Sequence, residues 1–273
     1  MYNVEICAGV RMDRENRSKI YVIIIIVVLL IILGVVGYFL FGMLNSDNSA
    51  KLSGTEQTAS SSVSSDSKTA SKDKKPKNPI DFKALNKQNN EIVAWIKVPD
   101  TKVDYPILQS QTADDFYLHR DVNRNSSYAG SIYMEYCNSS EFSDRVTVLY
   151  GHNMINGSMF AQLHKFEDKS FFDSKKHRYF YVYQPNRKLT YEVVSAFVYD
   201  DRHIMNSFNF AEDEIFEKYL DMIQDPRSYT KNVRKLNRRL TTDDKILTLS
   251  TCLNSGDGRY LLQGVLVKDE LTR

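Results

Sequence analysis

The stretch 20-IYVIIIIVVLLIILGVVGYFLFGML-44 runs for 25 residues without a charge, and no other feature restricts the chain so strongly. At about 1.5 Å of rise per residue, roughly 20 apolar residues cross the hydrocarbon layer of a bilayer. A buried core helix is rarely so long and apolar on every side. A cleaved signal peptide has a shorter apolar region and a small-residue cleavage site, which does not follow here. The expectation is a membrane span over 20–44. Arg11, Arg14, Arg17 and Lys19 precede it, whereas 45-NSDNSAK-51 offers one lysine beyond it. The positive-inside rule then places residues 1–19 in the cytoplasm and everything after residue 44 outside, in a single pass.

Residues 45–79 are rich in Ser, Thr, Lys and Asp, as in 58-TASSSVSSDSKTASKDKKPK-77. Such a segment buries too little apolar surface to offset the cost of ordering it, so a flexible tether is expected. From 80 to 273 the composition becomes that of one globular domain. The formal net charge of +2 excludes a strong nucleic-acid footprint. Of three cysteines, Cys7 falls in the cytoplasmic segment, and Cys137 and Cys252 fall outside, where a disulfide and two free thiols are both open.

The outer domain reads as mainly β with helical decoration, a barrel or sandwich. Strand signals lie at 92-IVAWIKV-98, within 99–110, and at 131-SIYMEY-136, 145-RVTVLYG-151, 179-YFYVY-183, 189-LTYEVVSAFVY-199, 246-ILTLST-251 and 259-RYLLQGVLV-267. Helical spacing appears from residue 80, in 158-SMFAQLHKF-166 and in 211-AEDEIFEKYLDMIQD-225. There Ile215, Tyr219, Leu220 and Ile223 form the expected apolar stripe and Pro226 ends the helix.

Successive strand residues alternate faces, so Ile246, Thr248, Ser250 and Cys252 share a side. The loop 253-LNSGDG-258 then reverses the chain and Arg259 opens the next strand. In a hairpin these two residues face each other, where an arginine lowers a thiol's pKa and offers two fixed hydrogen bonds to an oxyanion. A thiol nucleophile also needs a proton carrier. His119, His177 and His203 sit among charges and read as surface residues, and His164 reads as a rim residue. His152 ends a strand before the turn-rich 153-NMINGSMF-160, and strand ends are where a rigid sheet presents catalytic groups. The histidine and carboxylate spacings match neither a zinc site nor an EF-hand loop, so no metal or cofactor is expected.

The strings 248-TLSTC-252, 149-LYGHNMINGSMFAQL-163 and 102-KVDYPILQSQTADDFYL-118 resemble those of class B sortases, over nearly all of 80–267. The resemblance implies an eight-stranded β-barrel with extra N-terminal helices and a long helix before the cysteine strand. It implies a membrane-anchored cysteine transpeptidase on the outer face of a Gram-positive bacterium. Carried over by position, Cys252 is the nucleophile, His152 the histidine and Arg259 the arginine, with Ser250 as a substrate contact or a packed hydroxyl. Cys137 has no counterpart and reads as a partly buried free thiol. The implied partners are secreted proteins with a C-terminal sorting signal, cleaved after a threonine, and an amine of lipid-linked peptidoglycan precursor. Two other readings stay open: a surface cysteine protease, in which water resolves the thioester, and a non-catalytic β-domain that binds cell wall.

Overall fold

The computed structural model describes residues 75–254 and 256–273. The expected cytoplasmic segment, the membrane span, Cys7 and most of the tether lie outside the described residues. Among those described, no helix is long and apolar enough to cross a membrane. Just ahead of residue 80, buried Asn78 donates through Nδ2 to the Gln184 carbonyl at 2.7 Å, and Arg273 N donates to the Pro76 carbonyl at 3.0 Å.

Nine strands are present among the described residues: β1 (Ile92–Lys97), β2 (Asp104–Leu108), β3 (Ile132–Met134), β4 (Val146–Tyr150), β5 (Tyr179–Gln184), β6 (Arg187–Tyr199), β7 (Lys231–Val233), β8 (Ile246–Cys252) and β9 (Arg259–Leu271). Eight of them close a barrel in the order β5-β1-β2-β3-β4-β8-β9-β6, with β6 returning to β5. The long β6 permits this, because its first half pairs with β5 and residues 195–197 of its second half take β7 on the same edge. The expectation of an eight-stranded barrel holds. β7 is an addition that the sequence hid, since Lys231-Asn232-Val233 is largely exposed and carries no apolar alternation.

The α-helices among the described residues are α1 (Phe82–Gln88), α2 (Lys169–Asp173), α3 (Ile204–Ser207) and α4 (Asp213–Gln224). α4 starts with Asp213 and Glu214, which suit the positive end of a helix dipole, and stops before Pro226. Its buried stripe is Phe216, Tyr219, Leu220 and Ile223, an i, i+3, i+4, i+7 set. Ile215 is only half-buried, so the expected stripe was one residue out of phase at its start. The segment expected to be helical at 158–166 forms a 3₁₀ helix at Ala161–Glu167 instead. Buried Phe160, Leu163 and Phe166 recur every three residues, the period of that tighter helix.

β8 is buried on both faces. Leu247 and Leu249 pack into the barrel interior, while Ile246 joins the layer beneath α4. Thr248 faces α4 as well, with its Oγ1 3.0 Å from the Tyr219 hydroxyl. A strand covered on two sides is a rigid support for the residue at its end.

Candidate active site

β4 and β8 run parallel, in register from Val146↔Ile246 to Tyr150↔Ser250. A constant offset of 100 residues brings His152 and Cys252 to the same level at the carboxyl ends of two neighbouring strands. The antiparallel β8–β9 ladder closes with Cys252 opposite Arg259, whose Nη1 donates to Cys252 Sγ at 3.6 Å. All three residues are half-buried and line one cleft of about 220 Å³, together with Ser250, Tyr133, Tyr150, Tyr199, His203 and Ile204. The residues singled out in the sequence therefore meet in space. Ser250 lines the cleft but is 3% exposed, so its hydroxyl is mostly packed.

Two glycines shape this end of the barrel. A Cβ on Gly151 would lie 2.4 Å from Ile132 Cδ1 and 2.8 Å from the Phe160 ring, so only glycine lets the chain reach His152 by this path. Gly258 has φ +108°, and a Cβ there would also meet the Tyr199 carbonyl at 2.7 Å. That turn delivers Arg259 to the thiol.

His152 Nε2 lies 2.8 Å from the Leu118 carbonyl. A carbonyl only accepts, so Nε2 carries a proton and Nδ1 is left to exchange one. The ring stacks against His119 at 5.5 Å and Tyr128 at 6.2 Å between centroids, which fixes its plane.

The cleft also holds a group of carboxylates that the sequence did not single out. Glu135 is 3% exposed; its Oε2 accepts from the Tyr150 hydroxyl at 2.8 Å and from His203 Nε2 at 3.0 Å. Burial, followed by the neighbouring Asp114 carboxyl, raises the Glu135 pKa despite the tyrosine's hydrogen bond. Burial likewise pushes the Tyr150 and Tyr133 hydroxyls well above the ordinary tyrosine range. No metal cluster was expected, yet the fold brings one ligand atom each of Asp114, Glu135 and His203 within 4.8 Å of one another. Their separation along the chain, on three different segments, is why spacing alone did not reveal them.

Several expectations need correction. His203 is not simply a surface residue: it is half-buried in the cleft, where Nδ1 accepts from Asn206 N at 3.3 Å and caps α3. His177 is buried, stacked 3.6 Å from the Phe171 ring and bonded to the Phe171 carbonyl and Asp100. Charged neighbours in sequence did not mark it as exposed because its own ring packs inward. Cys137 is exposed rather than partly buried, and both it and Cys252 are free thiols, which removes the disulfide. Partial desolvation of its sulfur, then the field of Glu135 and Asp114, raises the Cys137 pKa.

A thiol beside an arginine, level with a histidine at the end of a β-barrel, is equipped for acyl transfer through a cysteine thioester. The class it points to is that of cysteine enzymes acting on peptide carbonyls. A sortase domain matches residues 96–267, and the chain belongs to the sortase family. It is 38% identical over 196 residues to sortase B of Listeria monocytogenes, covering 68% of this chain and 74% of the relative. It is 32% identical over 171 residues to sortase B of Staphylococcus aureus, covering 63% of this chain and 67% of the relative. Among solved structures, sortase B of Bacillus anthracis in complex with AAEK1 superposes with TM-score 0.60 at 37% identity, covering 68% of this chain and 84% of that one. Clostridium perfringens sortase B superposes with TM-score 0.61 at 32% identity, covering 69% of this chain and all of that one. The chain is an enzyme, a cysteine transpeptidase of the class B type.

Proposed function

We propose that this chain is a single-pass membrane protein whose outer domain cleaves a C-terminal sorting motif after threonine and joins the threonine to a peptidoglycan amine. The observation that carries the reading is the Cys252 Sγ–Arg259 Nη1 contact of 3.6 Å, at the level of His152 on the neighbouring strand. His152 Nδ1 takes the Cys252 thiol proton as Sγ attacks the threonine carbonyl carbon. Arg259 donates to the resulting oxyanion, and a planar fork of fixed donors suits that charge better than a point cation. The C–N bond then breaks, and His152 gives the departing amine its proton through Nδ1. In the second half the acceptor amine attacks the thioester, His152 takes its proton, and the sulfur leaves as the amide forms.

The uncharged 25-residue stretch with its basic N-terminal flank supports the anchored, outward-facing arrangement. Protease added to intact protoplasts should release the domain by cutting within residues 45–74. Protection until the membrane is opened would reverse the topology. The substrate is tested by a panel of fluorogenic peptides carrying proline-containing sorting motifs, with the cleavage site read by mass. Cleavage on the carboxyl side of threonine is expected; cleavage elsewhere, or of no motif, would overturn the assignment.

A further inference from the structure

The backbone at Cys252 runs two residues beyond its last β4 partner. Gly151 N donates to the Ser250 carbonyl at 3.2 Å, and there the β4–β8 ladder ends. Carbonyls two apart on a strand point to the same edge, so the Cys252 carbonyl faces the place where β4 would have continued. Side chains fill it. Asn153 Nδ2 donates to the Cys252 carbonyl at 3.0 Å and to Asn254 Oδ1 at 2.9 Å. The carbonyl, an obligate acceptor, fixes the amide's orientation.

A second contact comes from the 3₁₀ helix. His164 Nε2 lies 3.2 Å from the same carbonyl and 3.2 Å from Asn153 Nδ2, and its Nδ1 lies 2.5 Å from Glu167 Oε1. The Glu167 carboxylate accepts from Nδ1–H, and Nε2 abuts both the carbonyl and the Asn153 amide. The ring also stacks on Tyr260, with centroids 4.7 Å apart and planes 23° from parallel. Tyr260 is fully buried and follows Arg259 directly, just as Asn153 follows His152. The two side chains thus tie together the three strand ends that carry the thiol, the arginine and the histidine.

We propose that Asn153 and His164 are positioning residues that clamp the Cys252 carbonyl and so hold its thiol against Arg259. The clamp stands in for a ladder that stops two residues short of the nucleophile. It is needed there because the following loop turns through Gly256 at φ +83° and Gly258 at φ +108° and offers Cys252 no further strand partner. This inference rests on Cys252 being the nucleophile, as proposed above. A misplacement of about 1 Å at a reacting group costs on the order of 10²-fold in rate.

The test uses the full-length chain in detergent and measures alkylation by iodoacetamide, read at each cysteine by peptide mass. Cys137 is an exposed thiol in the same molecule and serves as the internal control, because a general loss of structure moves both. In the wild type Cys252 should react faster than Cys137; if it does not, the nucleophile reading falls before the clamp is tested. In His164→Ala and Asn153→Ala the Cys252-to-Cys137 rate ratio should drop about 10-fold or more. His164→Gln keeps a polar group that can bond both the carbonyl and the Asn153 amide and should return the ratio to within about three-fold of wild type. An unchanged ratio in both alanine variants would overturn the clamp, and so would a glutamine variant as impaired as the alanine one. Should His164→Ala fail to fold, Asn153→Ala against His164→Gln decides the matter by the same ratios.

Discussion

Glu91 and Glu135 are both buried glutamates of this domain, and their surroundings drive them in opposite directions. Glu91 accepts from the Tyr117 hydroxyl at 2.5 Å, from Arg124 Nε at 3.0 Å and from Gln111 N at 3.0 Å. Burial alone would raise its pKa, but those donors and the arginine's charge hold it below its ordinary value. Glu135 has a tyrosine and a histidine as donors, a second carboxyl beside it, and no lysine or arginine paired with it among the described residues. Its pKa is raised. The first cluster ties the start of β1 to the segment at 116–124 and is fully satisfied. The second reaches the cleft beside Cys252 through Asp114, Tyr150 and His203, a setting that suits binding or chemistry rather than rigidity. One region should therefore govern stability and the other turnover.

The largest effects should fall on the cleft alone. Cys252→Ala should abolish turnover, since no other group there forms the acyl intermediate, and should leave the unfolding transition nearly where it was. His152→Ala should cut turnover by about 10²–10⁴, the usual worth of general acid–base help. Arg259→Lys keeps the charge and loses the planar fork; a loss of about 10²-fold is expected, and near-normal turnover would show that a point charge suffices. Steady-state kinetics on the peptide identified in the motif screen, beside thermal unfolding, checks all three.

The Glu91 region should show the reverse pattern. Tyr117→Phe removes a donor from a buried carboxylate and should cost about 1.5–3 kcal/mol of stability, with turnover per folded molecule unchanged. A large loss of turnover in that variant would erase the division between the regions.

The smallest effects concern pH, and their signs differ. The Glu91 pKa is lowered, so its contribution is present above the ordinary value of 4.5 and is lost as pH falls through the folded pKa. The stability deficit of Glu91→Gln should accordingly shrink in acid. The Glu135 pKa is raised, so the folded state binds the extra proton and loses stability as pH rises above 4.5. Glu135→Gln should gain stability relative to the wild type over that range. Denaturant unfolding between pH 3 and 8, values on the order of the carboxylate range, checks both; slopes of the same sign would contradict the contrast.

Much of this was legible in the sequence because strands and helices leave periodic marks. Eight strand segments and α4 announced themselves by alternation and by a 3.6-residue stripe, and Cys252, His152 and Arg259 stood out at strand ends. What stayed hidden depends on contacts between segments far apart. Asn153 meets Cys252 across 99 residues, and His164 meets it across 88. Neither residue type is unusual in its local setting, and the parallel register that joins the segments has no local signal. The Asp114–Glu135–His203 group was hidden for the same reason. His177 was misjudged because charge on its neighbours says nothing about which way its own ring turns.

Under the proposed function a wall amine, rather than water, resolves the thioester. Water in an open site stands at about 55 M, so an amine prevails only if the site binds and orients it; effective molarities for well-held reactants reach roughly 10⁵ M or more. The decisive measurement is the mass of the threonine-ended fragment, made with the full-length protein and increasing concentrations of a peptidoglycan-like amine. The prediction is a shift from free acid to an amide joining that threonine to the amine. A fragment that stays the free acid at every concentration of every wall amine tried would contradict it.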